Sequence, residues 1–284
     1  MTPYHPFVSS LSQLCAEAGR LPLGGFAPCP RPSLAVDAPR VLIFSPHPDD
    51  ECVIGGLALR LMREAGMRVV NVAVTQGSNP ARQSGRWAEL QAACDYLGFD
   101  LLATTSGGLL KVTPKAREQD AAGWARSVGI IAEILSSQQP RVILFPHDRD
   151  WNSTHIGTHH LVVDALKQLP ASFTCHTVET EFWGPMADPN LMVEIGESDL
   201  GDMIAALTFH VEEVKRNPYH VSVPAWMVDN VRRAELVGGQ GGGAPDFRFA
   251  TIYRLRKWVG GRFESLWSGG KFLSKAANPA VLFA

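Results

Sequence analysis

Val41-Leu42-Ile43-Phe44-Ser45-Pro46-His47-Pro48-Asp49-Asp50-Glu51 decides how this chain is read. Four apolar residues in a row predict a buried strand. That strand ends by delivering one imidazole and three carboxylates within five residues, His47 to Glu51. Packing gives no reason to crowd acids there, because ionised carboxylates are costly to bury unpaired. A divalent cation supplies the reason, since it neutralises the cluster and uses it.

Outward from this run, strands and helices alternate. The pattern predicts a helix over Val53–Ala65 ended by Gly66, a strand over Val69–Thr75, and a helix over Gln83–Leu97 stopped by Gly98. A short apolar segment, Leu101–Ala103, comes next, then a helix over Ala121–Leu135, a strand over Val142–Phe145 and a helix over Ile156–Gln168. This order predicts an α/β fold: a doubly wound, mostly parallel sheet flanked by helices on both faces. Beyond Ser172 the pattern changes to extra C-terminal elements. Strands are expected at Thr174–Glu179, Leu191–Ile195 and Arg248–Arg254, and a helix at Leu200–Arg216 closed by Asn217-Pro218. Residues 1–38, rich in Pro and Gly, read as an irregular lead-in with one helix near Leu11–Ala18, and residues 39–284 as a single domain. The glycine run at 238–243 lacks the GK[ST] ending of a phosphate loop, and a surface loop is the expectation.

Composition excludes several classes. The 284 residues carry a net charge of -2, which gives no electrostatic footprint for nucleic acid or an anionic membrane. No apolar run is long enough to span a bilayer. Met1 to Gly24 lacks the basic start and apolar core of a signal peptide, so a cytoplasmic location is the default expectation. The five cysteines are scattered and never form a CxxC pair, which argues against a disulfide framework. Cys52 reads as a small buried residue at a helix start.

In an open α/β sheet, ligands bind beyond the carboxyl ends of the strands. Two predicted strands end in polar clusters: His47 to Glu51, and Pro146-His147-Asp148-Arg149-Asp150-Trp151-Asn152-Ser153-Thr154-His155 followed by His159-His160. Central, parallel strands would bring both clusters to one crevice. Two imidazoles and one carboxylate make a hydrolytic zinc set with an open position for water. His47 and Asp50, three apart at a strand-to-helix turn, can face one point. The third ligand is assigned to His155, at the expected start of a helix, in competition with His147 and His159. Asp49 then stays off the metal as general base. Trp151 is a candidate to stack on a sugar face, with core packing as the alternative.

Pro46-His47-Pro48-Asp49-Asp50-Glu51 resembles the AHPDDE signature of the PIG-L/LmbE family of metal-dependent N-deacetylases. Thr75-Gln76-Gly77 with Arg86-Trp87-Ala88-Glu89 resembles the family's T-x-G and R-x-x-E elements, and Thr154-His155 its second metal motif, HPDH. Glu181-Phe182-Trp183 and Phe249-Ala250-Thr251 fit its later segments more loosely. The resemblance implies a Rossmann-like fold, one Zn2+ per chain held by His47, Asp50 and His155, Asp49 as base and Arg86 in contact with substrate. Its substrates are mostly N-acyl amino sugars and their conjugates.

The chain departs from the family pattern at two places. Asn152 and Thr154 stand where HPDH has its first His and its Asp. Asn152 donates a hydrogen bond but transfers no proton at neutral pH. The general acid is then Asp49 once protonated, or His159 one helical turn beyond His155. Ser106-Gly107-Gly108 replaces the acidic residue usual after the third strand. Bland readings stand beside these: Arg86 with Glu89 as a surface ion pair, His210 and His220 as structural or solvent-facing, Glu181 and Trp183 as scaffold.

The leading expectation is a zinc-dependent amidohydrolase that removes an acyl group, with acetyl expected, from an N-acylated amino sugar or glycoconjugate. The second is a metal-dependent hydrolase of another bond such as a phosphoester, using Asp49, Asp148, Asp150 and His159 around a second ion. The third is a non-catalytic sugar- or nucleotide-binding module with a structural metal, weakened by the lack of G-x-G-x-x-G after the first strand.

Overall fold

The computed structural model describes residues 2–283. In chain order the elements are α1 (Tyr4–Ala18), β1 (Arg40–Ser45), α2 (Asp50–Ile54), α3 (Gly56–Ala65), β2 (Arg68–Ala73), α4 (Pro80–Leu97), β3 (Asp100–Ala103), α5 (Pro114–Gln119), α6 (Ala121–Gln138), β4 (Val142–Pro146) and α7 (Ser153–Gln168). The C-terminal part adds β5 (Cys175–Thr180), β6 (Leu191–Glu194), α8 (Glu197–Leu207), α9 (Val211–Arg216), α10 (Tyr219–Arg232), α11 (Glu235–Gly238), β7 (Ala250–Val259), β8 (Arg262–Ser265), β9 (Lys271–Leu273) and a 3-10 turn at Pro279–Phe283.

The strand order is β3-β2-β1-β4-β5-β7-β6-β9, with β8 paired to β7. The first five strands are mutually parallel; β7 runs antiparallel to β5 and β6. The mostly parallel α/β sheet is the one the alternating pattern predicts. Val41 and Ile43 of β1 join the core under α2, α3, α4 and α8. Leu42 and Phe44 face the opposite core with α6 and α7. Both faces of β1 are buried, so it reads as a continuous apolar run.

The chain steps from β1 to β2 to β3 on one side, then returns to place β4 on the other side of β1. The carboxyl ends of β1 and β4 therefore flank the topological switch point, where a crevice opens because successive crossovers diverge.

Several boundaries differ from the sequence pattern. The lead-in carries a longer helix than read, Tyr4–Ala18. The helix read over Val53–Ala65 begins at Asp50 and is interrupted at Gly55 between α2 and α3. The one read over Leu200–Arg216 is broken at Thr208–His210, between α8 and α9. That break aims His210 inward. Helix α10 was missed, because Pro224 inside it breaks the pattern a helix is recognised by. The glycine run is a loop after α11.

Candidate metal centre

Asp49 sits between β1 and α2 with φ of 118° and ψ of -26°, left-handed backbone that a non-glycine residue rarely adopts. The Glu51 side chain folds back to hold it: Oε2 accepts the Asp49 amide at 3.0 Å. Asp49 stands at the N-cap of α2 yet makes no capping bond, so its carboxylate is directed elsewhere. Asp50 Oδ2 accepts the His47 amide at 2.8 Å, closing the turn that places both side chains on one point.

The third side chain comes from the switch point. Asn152 caps α7 by accepting the Thr154 amide at 2.8 Å. Helix α7 then presents His155 one turn in, fully buried. Gly157 lets the loop at Val112–Thr113 lie directly on this helix, where a Cβ would collide with the Val112 carbonyl.

His47 Nδ1 and His155 Nε2 lie 3.2 Å apart, and Asp50 Oδ2 lies 3.5 Å from the first and 3.4 Å from the second. Tetrahedral ligands at zinc-like bond lengths sit about 3.3–3.6 Å from one another. Two edges of the donor triangle fall in that range, and the third, between the imidazoles, is slightly shorter at 3.2 Å. Burial works to raise the Asp50 carboxyl, but His155 and His47 outweigh it and hold the group below its usual range. An ionised carboxylate and two facing imidazole nitrogens fit a divalent cation. Behind them, His155 Nδ1 lies 3.4 Å from Asp150 Oδ1, and Asp150 Oδ2 accepts the amides of Trp183 and Gly184. A carboxylate behind a ligating imidazole fixes its ring orientation.

Asp49 lies beside the triangle. Burial, then repulsion from Asp50, pushes its carboxyl up to about 7, against the pull of His210, Arg86 and Tyr219. Tyr219 Oη donates to Asp49 Oδ2 at 2.6 Å. Arg86 Nη2 donates to the Pro48 carbonyl at 2.8 Å and lies 3.5 Å from Asp49 Oδ2. Gly77 leaves room for this guanidinium, since a Cβ there would come within 2.6 Å of Arg86 Nη1. Beneath the turn, Glu51 Oε1 meets His210 Nε2 at 2.8 Å and Cys52 Sγ at 3.1 Å. Burial opposes the charged form of His210, yet Glu51 holds its pKa above the usual imidazole value.

A cavity of about 810 Å³ opens over the triangle, lined by His47, Asp49, Asp50, Arg86, Asn152 and Trp183 among others. That volume falls in the range of small-molecule sites.

Other sequence candidates lie elsewhere. His147 uses both ring nitrogens, Nδ1 for the Arg149 amide and Nε2 for the Gly184 carbonyl, so it does not compete as a ligand. His159, read as a possible acid, is outside the cavity lining: its Nδ1 is 3.0 Å from the Pro146 carbonyl and 3.4 Å from Glu179. Asp148 and Glu179 complete a second acidic group there, but Arg254 contacts both and Arg256 contacts Glu179. Guanidinium groups already neutralise that cluster. Trp151 projects into solvent, 76% exposed. Trp183, read as scaffold, borders the cavity and stacks on Trp226 with ring centroids 6.2 Å apart. Tyr219 was missed as a site residue, because only the fold brings the start of α10 against Asp49. His210, read as structural or solvent-facing, is buried and takes the structural place, paired with Glu51. His210 two residues before an acidic pair, Glu212-Glu213, offered no spacing signal.

Residues 42–166 match the family model PIG-L, GlcNAc-PI de-N-acetylase. No curated protein matches the chain. Among solved structures, the fold is shared with N,N'-diacetylchitobiose deacetylase from Pyrococcus horikoshii at 16% identity and a TM-score of 0.53, over 89% of this chain and 93% of that one. It is also shared with the zinc-inhibited form of teicoplanin deacetylase Orf2, at 13% identity and a TM-score of 0.57, over 77% of this chain and 98% of that one. A third is GalB, the 4-carboxy-2-hydroxymuconate hydratase from Pseudomonas putida, at 18% identity and a TM-score of 0.58, over 76% and 95%. The last of these is a hydratase, so the fold alone does not choose the reaction. No helix among the described residues is long and apolar enough to cross a membrane.

Proposed function

Taking residues 42–166 as a PIG-L family segment, we propose that this chain is a metal-dependent N-deacetylase acting on an N-acylated amino sugar or a conjugate of one. The observation that carries the reading is the donor triangle of His47, Asp50 and His155 with the Asp49 carboxylate beside it, where His47, Asp49 and Asp50 line one cavity and His155 completes the triangle from its buried position on α7. Those three side chains hold the cation, and zinc suits two imidazoles with one carboxylate. When bound, such an ion polarises a carbonyl and lowers the pKa of water to about 7.

The protein's own groups supply the rest. Asp49 accepts the proton of the attacking water and returns it to the amine nitrogen as the C–N bond breaks. This removes the need for an imidazole acid where Asn152 stands. Asn152 Oδ1 is occupied by the Thr154 amide, which leaves its amide N–H groups for the developing oxyanion. Asp150 keeps the His155 ring in register. Arg86 anchors the Pro48–Asp49 backbone and borders the space where substrate lies. Trp183 takes over the stacking role first read for Trp151. Because His210 and Tyr219 complete the surroundings of Asp49 from the C-terminal part, residues 39–284 act as one catalytic domain.

The test is elemental analysis of the purified chain followed by acetate release from N-acetylglucosamine and its glycosides. The expected result is one zinc per chain and stoichiometric acetate and amine, both abolished by chelation. Metal-loaded protein that releases no acetate but cleaves phosphoesters overturns the reading.

A further inference from the structure

We propose that Tyr219 is a positioning residue that selects which oxygen of Asp49 acts as the base. The inference rests on the deacetylase reading for its chemistry, and on geometry for its substance.

The two oxygens of Asp49 are not equivalent. Oδ2 accepts the Tyr219 hydroxyl at 2.6 Å, with Arg86 Nη2 at 3.5 Å on the same atom. Oδ1 makes no hydrogen bond among the described residues, although the side chain borders the cavity. A carboxylate with one oxygen saturated by donors accepts a proton on the other. Oδ1 is therefore the atom that takes the proton from water as the oxygen–carbon bond forms. It passes the same proton to the amine nitrogen as the carbon–nitrogen bond breaks, so the carboxylate ends as it began.

The constraint comes from far away in sequence. Tyr219 opens α10 and lies 170 residues from Asp49. Its ring packs edge-on against Trp183, with centroids 6.0 Å apart, and Trp183 in turn stacks on Trp226. The backbone of Asp49 is held separately, through its amide, by Glu51. Backbone and carboxylate are thus clamped by different elements. Of the two donors that restrain rotation of the carboxylate about its last bond, Tyr219 at 2.6 Å is the closer and Arg86 at 3.5 Å the looser. Misalignment of a catalytic group by about 1 Å costs on the order of 10²-fold in rate.

The experiment uses Tyr219→Phe, which removes the hydroxyl and keeps the ring against Trp183. Three quantities are measured: bound zinc, kcat and KM on an N-acetylated substrate, and the crystal structure of the variant. The expected result is full zinc content, KM within about twofold of wild type and kcat lower by about 10- to 100-fold, with the Asp49 carboxylate turned or in two orientations. An unchanged kcat overturns the proposal. So does a raised KM with kcat intact, which would make the hydroxyl a substrate contact. If wild-type protein turns over no N-acetylated substrate, the deacetylase reading fails first. The crystal structure then still decides whether Tyr219 fixes the carboxylate: an unmoved Asp49 rejects the clamp.

Discussion

The Glu51 carboxylate and the His210 imidazole meet at 2.8 Å across 159 residues, both fully enclosed. Glu51 is therefore absent from the donor triangle, despite standing next to it in sequence. Its second oxygen holds the Asp49 amide. A pair that lies beneath the turn thereby keeps Asp49 in a backbone conformation it would otherwise avoid.

This pair predicts a stability effect. Removing one member of a buried ion pair leaves the other uncompensated, at a cost of about 3–5 kcal/mol. His210→Phe is expected to lower the unfolding free energy by that order in urea titrations. A loss below about 1 kcal/mol would mean that Glu51 finds another partner or protonates without penalty.

The donor triangle predicts metal content. His155→Ala and Asp50→Asn are each expected to leave purified protein with a small fraction of the wild-type zinc, whereas His147→Ala and His159→Ala retain it. Retention by His155→Ala would separate the two strand-end clusters.

Asp49→Asn tests the base. Carboxamide for carboxylate keeps the shape and removes the proton acceptor. We expect zinc content unchanged and kcat reduced by at least about 10²-fold. Turnover near wild type would assign the proton transfer to another group.

The two tryptophans predict opposite outcomes. Trp183→Ala is expected to raise KM several-fold, since its ring borders the cavity at 47% exposure, and Trp151→Ala, 76% exposed, to leave it unchanged. Equal effects of the two substitutions in steady-state assays would remove Trp183 as a substrate platform.

His220 predicts a pH dependence of stability. Its ring is buried, neither nitrogen has a partner among the described residues, and burial holds its pKa below the usual imidazole value. Below the unfolded pKa of about 6.5 the unfolded chain binds a proton that the folded chain refuses. Stability from this residue is present above about pH 6.5 and is lost as pH falls through and below that value. His220→Leu is expected to flatten the fall in Tm between pH 7 and pH 5. An identical slope in the variant would show that the ring titrates freely when folded.

Much of the fold was legible because its signals are local. The apolar run of β1, glycines after Ala65 and Leu97, and the alternation of elements each follow from neighbouring residues, and they dictate a parallel sheet. The C-terminal third was harder to read. Pro224 sits inside α10, and β8 and β9 are strands of only four and three residues with mixed burial. Such elements form because the edge of an existing sheet offers them partners.

The sequence by itself determined that His47 and Asp50 share one turn and that His155 opens a helix after a second strand. Those facts depend on spacings of three residues or on strand-to-helix order. Only the tertiary structure decided what surrounds them. It turned Glu51 away from the site toward His210, set Asp150 behind His155, exchanged Trp151 for Trp183 at the cavity, and brought Tyr219 to Asp49. Each of those contacts joins residues on different elements, or turns a side chain toward a partner that the local chain does not contain. Their geometry is fixed by packing around the switch point, which no local pattern encodes.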